Sequence, residues 1–432
     1  GDLTSIDDTS KYDLEWQKRY GGDEHDVPHS IQQTLDGGYI VAGWTTSVSG
    51  DITENKGESD YWIIKLDEKG SMEWHKTYGG SKKDFAHSIR QTPDGGYIVA
   101  GYSGSDDGDA PENNGHTDYW IIKLDPKGNI EWNKNYGGSL GERAYSIQIT
   151  EDGGFIVAGW TYSDDGDITK NIGGKDYWIV KLDEFGKIEW ERCYGGHSKD
   201  EAYEIIQTED EGYVIAGNTK SKKVDKINYK GYSEVQIVKI TKKGDLQWKK
   251  ILGGTKNDYF SSIKQTYEGG YILVGRTDSN DGDVSGNHGL DDIWIVKLSG
   301  KGNIEWSKTI GSSIHESAHT VIQTLDGGYI IAGSRRDLNF NDKNWNLLIK
   351  LDEWGNIKWT KKFEVLGDIE STRNGGLVAV SSGSRTMFII TKLNGDDLFQ
   401  QDQSDSTFSI VFPEAASKDI DMGKVLVSSM KD

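Results

Sequence analysis

The chain has 432 residues, is 34% hydrophobic and 28% charged, and carries a formal net charge of −21. So acidic a balance argues against nucleic acid and anionic membrane surfaces as partners, and no apolar run of about 18 residues is present to insert in a membrane as a helix. Cys193 is the sole cysteine, so no disulfide can form within the chain.

In chain order, residues 1–13 are polar and read as a loose leader. Trp16 then opens a series with Trp74, Trp132, Trp190, Trp248 and Trp306, each 58 residues after the last, and Trp359 follows 53 later. The later tryptophans close a recurring string: LDEKGSMEW at Leu66, LDPKGNIEW at Leu124, LDEFGKIEW at Leu182, ITKKGDLQW at Ile240, LSGKGNIEW at Leu298 and LDEWGNIKW at Leu351. A fixed period of this length indicates a repeat architecture. Within the repeat from Trp74 to Trp132, the segments SIRQT, YIVAG, WIIKL and NIEW are short, rich in Ile, Val, Tyr and Trp, and divided by Gly/Asp turns. They read as four strands, A to D. The runs in B and C are apolar without alternation, so both faces of each sheet are expected to be covered.

Four-stranded sheets covered on both faces fit blades arranged around an axis, an all-β, seven-bladed β-propeller of antiparallel blades; period alone would also permit an open solenoid. The ends favour the ring. The chain opens on an outer-strand pattern, LEWQKRYGG from Leu14, and the seventh repeat ends in LNGDDLFQQ, without its own Trp. Leu14 to Tyr20 are therefore expected to complete blade 7 and remove a free sheet edge. Cys193 takes a place held elsewhere by Thr77 or Arg19 and reads as an ordinary strand-D thiol.

The string LDxxGxIxW resembles the tryptophan-docking motif of pyrroloquinoline-quinone-type propellers. The fuller repeat resembles the propeller repeats of large secreted surface proteins of Bacteroidetes-type bacteria, over residues 14–400. The resemblance implies the propeller fold and an extracytoplasmic setting, and leaves cofactor and ligand open. It also implies that the docking tryptophans are buried at blade junctions. The tail, 401–432, breaks the pattern, and its string IDMGKVLVSSMKD resembles the opening of choice-of-anchor (abnormal-spindle-type) Ig-like domains. Further domains of the same polypeptide are therefore expected beyond Asp432.

Residues present in every copy are expected to serve the blade. Lys65, Lys123, Lys181, Lys239, Lys297, Lys350 and Lys392 recur in strand C, and the acids before strand A (Asp26, Asp84, Glu142, Asp200, Asp258, Glu316) are their expected partners. The A–B and C–D turns are tight, so the long D–A and B–C connections share one face, where binding residues are expected. Three B–C loops read SDDGD or SNDGD: Asp106, Asp107 and Asp109; Asp164, Asp165 and Asp167; Asp281 and Asp283. With Asn113, Asn171 and Asn287 downstream they could supply oxygen ligands to Ca²⁺, or simply form Asx turns. Strand B ends on Trp44, Tyr102 and Trp160 in blades 1 to 3, the side chains that sugar-binding surfaces use. The B–C loop is shortest in blades 6 and 7 (Gly333 to Trp345, Ser381 to Met387), which predicts a notch on that face. Beneath it, one strand-A column reads His319, Asp368, His29 and His87, with Tyr145, Tyr203 and Ser261 completing the ring. Opposite stands a lysine loop: Lys220, Lys222, Lys223, Lys226 and Lys230.

No nucleophile–base order, zinc spacing or phosphate-binding glycine loop is visible. The expected function is a non-catalytic binding or adhesion module of a larger secreted or cell-surface protein, with a glycan or protein ligand on the long-loop face. A ligand-free spacer and a propeller hydrolase or lyase are the alternatives.

Overall fold

The structure is a computed structural model and describes residues 14–221, 232–336, 345–363, 367–373, 376–382 and 387–393; the leader 1–13, the tail 401–432 and most of the lysine loop lie outside these. Each recurring apolar string becomes a strand. In blade 1 strand A is Asp26–Gln33, B is Tyr39–Thr45, C is Asp60–Leu66 and D is Met72–Tyr78, paired in that order. The same A-B-C-D order builds blades 2 to 6. Strand C of blade 1 is buried at every residue, whereas D, on the rim, is largely half-exposed. B and C lack alternation because a neighbouring blade covers each face.

Blade 7 is made from both ends of the propeller. Its strands Asp368–Ser371, Leu377–Ser382 and Met387–Leu393 are completed by Leu14–Gly21, with Trp16 opposite Lys392 and Tyr20 opposite Phe388. The expected closure holds. One core cluster joins Tyr39, Val41, Trp62 and Ile64 of blade 1 to Val378, Val380, Phe388 and Ile390 of blade 7.

The recurring tryptophan clasps the next blade. Trp74 lies edge-on to Tyr97 of blade 2, 5.9 Å between centroids, and covers the C–D turn at Gly128. Gly128 has φ +76°, and a Cβ there would meet the Trp74 ring at 2.9 Å, so both backbone and neighbour demand glycine. Tyr78, at the end of the same strand, donates its hydroxyl to the Gly128 carbonyl at 2.5 Å. The docking tryptophans sit at the junctions, but half-buried rather than enclosed, because strand D forms the rim and one side of each ring faces solvent.

The strand-C lysines pair differently from the sequence expectation. Lys65 bonds Asp36 and Glu73, both at 2.9 Å, and Lys123 bonds Asp94 at 2.8 Å and Glu131 at 2.9 Å. These partners lie on the A–B turn and on strand D. Asp26 and its counterparts stand at the opposite end of the sheet, about 17 Å away for a five-residue rise. There Asp26 accepts hydrogen bonds from Thr45 (2.5 Å), Ser47 (3.1 Å) and the Gly22 amide (2.8 Å), tying the long connections together.

A glutamine belt closes the ring on the tight-turn side. Gln91 accepts from the Leu35 amide (2.7 Å), Gln323 from Tyr267 (2.8 Å), and Gln33 of blade 1 from Arg373 of blade 7 (2.8 Å). Where blade 2 has Pro93, which has no amide hydrogen, the facing blade has Ile149 in place of glutamine. The A–B turn needs a residue at positive φ, a glycine in blades 1, 2, 3, 5 and 6; blade 4 has Glu211 there, at φ 61°. Glu211→Gly is expected to gain roughly 0.5–1 kcal/mol, the relief of the left-handed conformation less the added freedom of the unfolded chain. A thermal melt checks this, and an unchanged or lower melting temperature would contradict it.

Candidate functional site

Strand A of all seven blades lines a central channel enclosing a cavity of about 680 Å³. On this strand the inward-packing isoleucines recur (Ile31, Ile89, Ile147, Ile205, Ile263, with Val321 and Ile369), while the channel positions change from blade to blade. His29, His87, Tyr145, Tyr203, Ser261 and His319 line the cavity, as does Asp368.

Blade 7 corrects one register. Ile369 pairs with Ala379 as Ile31 pairs with Val41, which places Asp368 in the column of Ser30, Ser88, Ser146, Glu204, Ser262 and Thr320. Gly367 takes the histidine column. The floor of that column is thus three histidines, two tyrosines and a serine, and the carboxylate lies one layer deeper.

His29 and His87 meet at a tilt, 4.5 Å between centroids, His87 meets Tyr145 at 4.6 Å, and Tyr145 meets Tyr203 at 5.1 Å, giving an aromatic arc over four blades. The Trp44 indole donates to Nε2 of His29 at 3.2 Å. His319 stands apart from the arc, with its Nε2 3.0 Å from the Ser334 hydroxyl. Burial lowers His29 and His319 to about 4, the latter helped by Arg336. His87 is lowered well below its ordinary range, by burial and then by His29 and Arg143. All three imidazoles are therefore neutral at pH 7.

Above the arc, at the long-loop mouth, Tyr102 and Trp160 are buried, and the Arg143 guanidinium lies over both, 4.5 Å and 5.4 Å from the ring centroids. Lys175 covers Trp160 from 3.7 Å. These ring faces are occupied by the protein's own cations, so a sugar would have to displace Arg143 or Lys175 to stack there; Trp44 remains half-exposed.

The acidic B–C loops lie on three separate blades. Asp107 accepts from the Ser81 amide (2.6 Å), Asp165 from Ser139 (2.7 Å) and Asp281 from Thr255 (2.6 Å). Asp109, Asp167 and Asp283 accept from Gly79, Gly137 and Gly253 at 3.2, 3.0 and 3.2 Å. Each loop clamps the preceding D–A connection to its own blade. Asp106 is ion-paired with Lys82 at 3.5 Å, and Asp164 is exposed. Among the described residues no three His, Cys, Asp or Glu side chains converge as a metal site. Lys222, Lys223, Lys226 and Lys230, and the tips of the short loops in blades 6 and 7 (337–344, 383–386), lie outside the described residues. Cys193 is partly buried, its thiol pushed up by burial and by Glu191, which leaves it protonated and unreactive.

A deeper layer escaped the sequence reading. Gln32, Arg90, Gln148, Lys264 and Glu370 share one column facing the channel. Lys264 is ion-paired with Glu204, and Arg90 donates to the Ile89 carbonyl (2.7 Å), Gln148 (3.3 Å) and Ser30 (3.4 Å). The signal in the sequence was a position on the innermost strand whose charge changes sign between blades.

No family model matches the chain. Among curated proteins it is similar to the regulatory protein FlaEY of Caulobacter vibrioides, 24% identical over 346 residues; the match covers 71% of this chain and 36% of FlaEY, so the chain spans about a third of that relative. Among solved structures it is similar to the WD40 domain of Neurospora crassa Pan2 (TM-score 0.50, 9% identity, 89% of this chain and 97% of that one). It is likewise similar to the polysaccharide lyase Uly1 (TM-score 0.51, 9% identity, 91% of this chain and 94% of that one). At these identities the likeness shows the β-propeller fold alone.

Proposed function

We propose that the chain is a non-catalytic binding module of a larger secreted or cell-surface protein, taking a glycan or protein ligand at the long-loop mouth of its channel. One observation carries this reading. Within a frame that repeats its scaffold residues blade after blade, the channel column runs His, His, Tyr, Tyr, Ser, His, Gly. A spacer needs no such asymmetry, whereas a ligand without sevenfold symmetry does. Neutral imidazoles and tyrosines offer both hydrogen-bond donors and acceptors beside aromatic faces. The larger-protein setting is supported by the share of FlaEY that the chain spans, and the surface setting by the resemblance of its repeats.

The test is a glycan-array and surface-protein screen, followed by the triple variant His29→Ala, His87→Ala, His319→Ala. Binding of the recovered ligand is expected to weaken about tenfold or more while the fold is retained by circular dichroism. Undiminished affinity in a folded triple variant would place the ligand elsewhere and end this reading.

A further inference from the structure

Blade 7 contributes two carboxylates to the channel, Asp368 and Glu370, two residues apart on strand A and so on one side of it. The charges facing them come from three other blades: Arg90, Glu204 and Lys264. Neither of the two cations is free. Lys264 is held by Glu204, and Arg90 commits its Nε to Gln148 and its Nη1 to the Ile89 carbonyl and Ser30. The layer therefore holds three acids against two cations, and the uncompensated charge belongs to blade 7. Independently, Oε2 of Glu370 is buried and has no hydrogen-bond partner, and Nε2 of His87 in the same cavity is in the same condition. A buried carboxylate oxygen without a donor is unstable in a protein interior unless something supplies one.

The rest of the lining is suited to the same guest. Ser88 and Ser146 accept hydrogen bonds from the Ile147 and Ile205 amides of the next blade, both at 3.3 Å, and keep a second lone pair for the channel. The neutral rings of His29, His87, Tyr145 and Tyr203 present π faces on the approach from the long-loop side. The acidic protein as a whole draws positive ligands toward this mouth.

We infer that Asp368 and Glu370 form a subsite for a positively charged nitrogen, the alkylammonium or guanidinium group of a ligand that enters the channel from the long-loop mouth. This rests on the binding-module reading and names the chemistry at the bottom of that site. The group reaches the channel either on a free polyamine or on a basic side chain of a protein partner.

Calorimetric titration of the full chain with spermidine, and separately with a pentalysine peptide, tests the inference and distinguishes the two sources. Binding of at least one probe is expected. It should weaken about tenfold or more in Glu370→Gln and in Asp368→Asn, the usual loss for a charge-assisted hydrogen bond, and should stay unchanged in Glu68→Gln on the tight-turn face. Burial, offset by Arg90 and reinforced by Asp368, raises Glu370 to about 7, so the affinity of the probe should also rise from pH 6 to pH 8, and this rise should vanish in Glu370→Gln. Absence of binding by both probes, or equal affinity in wild type and Glu370→Gln, overturns the subsite. A glycan or protein ligand that loses affinity in the triple histidine variant yet binds Glu370→Gln normally would remove the subsite and leave the binding module standing.

Discussion

A chain lacking residues 1–21 is expected to lose its cooperative melting transition or to melt far lower than the full chain. The removed strand supplies every backbone hydrogen bond on the outer side of Met387–Leu393, and with it the clasp between blades 7 and 1. Trp16 lies edge-on to Tyr39 at 5.6 Å and covers Gly70, whose Cβ, if present, would meet the ring at 2.8 Å. Tyr20 donates to the Gly70 carbonyl, and Glu15 bonds Lys392 at 3.0 Å. Losing the half-buried Trp16 alone costs roughly 2–3 kcal/mol, less than the 3–5 of a fully enclosed ring. Exposing a strand edge and the buried Lys392 adds to it. Against a total stability of about 5–15 kcal/mol for a folded protein, the sum threatens the ring itself. The single variant Trp16→Ala, measured by denaturant titration, should show the smaller loss in isolation. A deletion that leaves the melting temperature unchanged would show that Leu14–Gly21 is dispensable for closure.

The second large effect is a contribution to stability that is lost as the pH rises. At the junction of blades 2 and 3, Asp118 and Glu142 are both fully buried and flank Gly137, where a Cβ would lie 2.4 Å from Oδ1 of Asp118 and 2.6 Å from Oε2 of Glu142. Oδ2 of Asp118 accepts from the Asn114 amide at 2.8 Å, while Oδ1 has no donor. Burial, then the charges of Glu142 and Asp167, raises Asp118 to about 7 from an ordinary 3.8. Between those two values the folded chain binds a proton that the unfolded chain has released, so stability is full below about 4 and declines as the pH climbs to about 7. Three pH units correspond to about 4 kcal/mol. Asp60, Asp176 and Asp258 are each raised to about 6, first by burial, and act in the same direction. The opposing sign comes from the channel histidines and from Asp326. His29, His87 and His319, lowered by burial, take up protons on unfolding, so their contribution is lost as the pH falls from about 6.5 through 4. Despite partial burial, hydrogen bonds from Lys350 and Thr324 hold Asp326 down to about 2, and its contribution disappears as the pH falls from about 4 through 2. Because the histidines offset the carboxyls between about pH 4 and 6.5, the contribution of Asp118 is read from the difference between variant and wild type rather than from the wild-type optimum. Asp118→Asn, which keeps the acceptor for Asn114 and gives Glu142 a donor, should raise the melting temperature at pH 8 and change little at pH 4.5. A variant that gains no more over wild type at pH 8 than at pH 4.5 would show that Asp118 ionises without penalty.

The ring was legible because its cause is periodic. A tryptophan that must cover a glycine of the next blade recurs at a constant interval, and the apolar runs of strands B and C announce two covered faces. The orphan outer strand at Leu14 was legible for the same reason: a sheet edge must be paired. The lysine partners were not, because a pattern of acids and lysines says nothing about which end of a strand each occupies; Lys65 and Asp26 stand at opposite ends. In the channel, His29, His87 and His319 were found as a column, but Asp368 was displaced by one. Leu377 follows Asp368 by nine positions where Tyr39 follows His29 by ten, and counting from the recurring Thr372 restores the register. Glu370 passed unnoticed because an isolated charge on a strand resembles a solvated face until the channel closes around it. Tyr102 and Trp160 show the converse error. Aromatic residues near a mouth suggest open platforms, and only the fold reveals that Arg143 already lies on them.

The way blade 7 is assembled also fixes how the ring responds to being pulled. Leu14 and Leu393 face each other at one end of an antiparallel pair, so tension between the segments flanking them loads the ladder one rung at a time, as a zipper is opened, rather than all rungs together in shear. The other blades, each continuous in sequence, carry none of that load until the pair has parted. Pulled at these two ends, the propeller has a defined weak seam, and the seam lies within the blade that bears Asp368 and Glu370. Tension on these two ends would thus reach the channel before it reached the remainder of the ring.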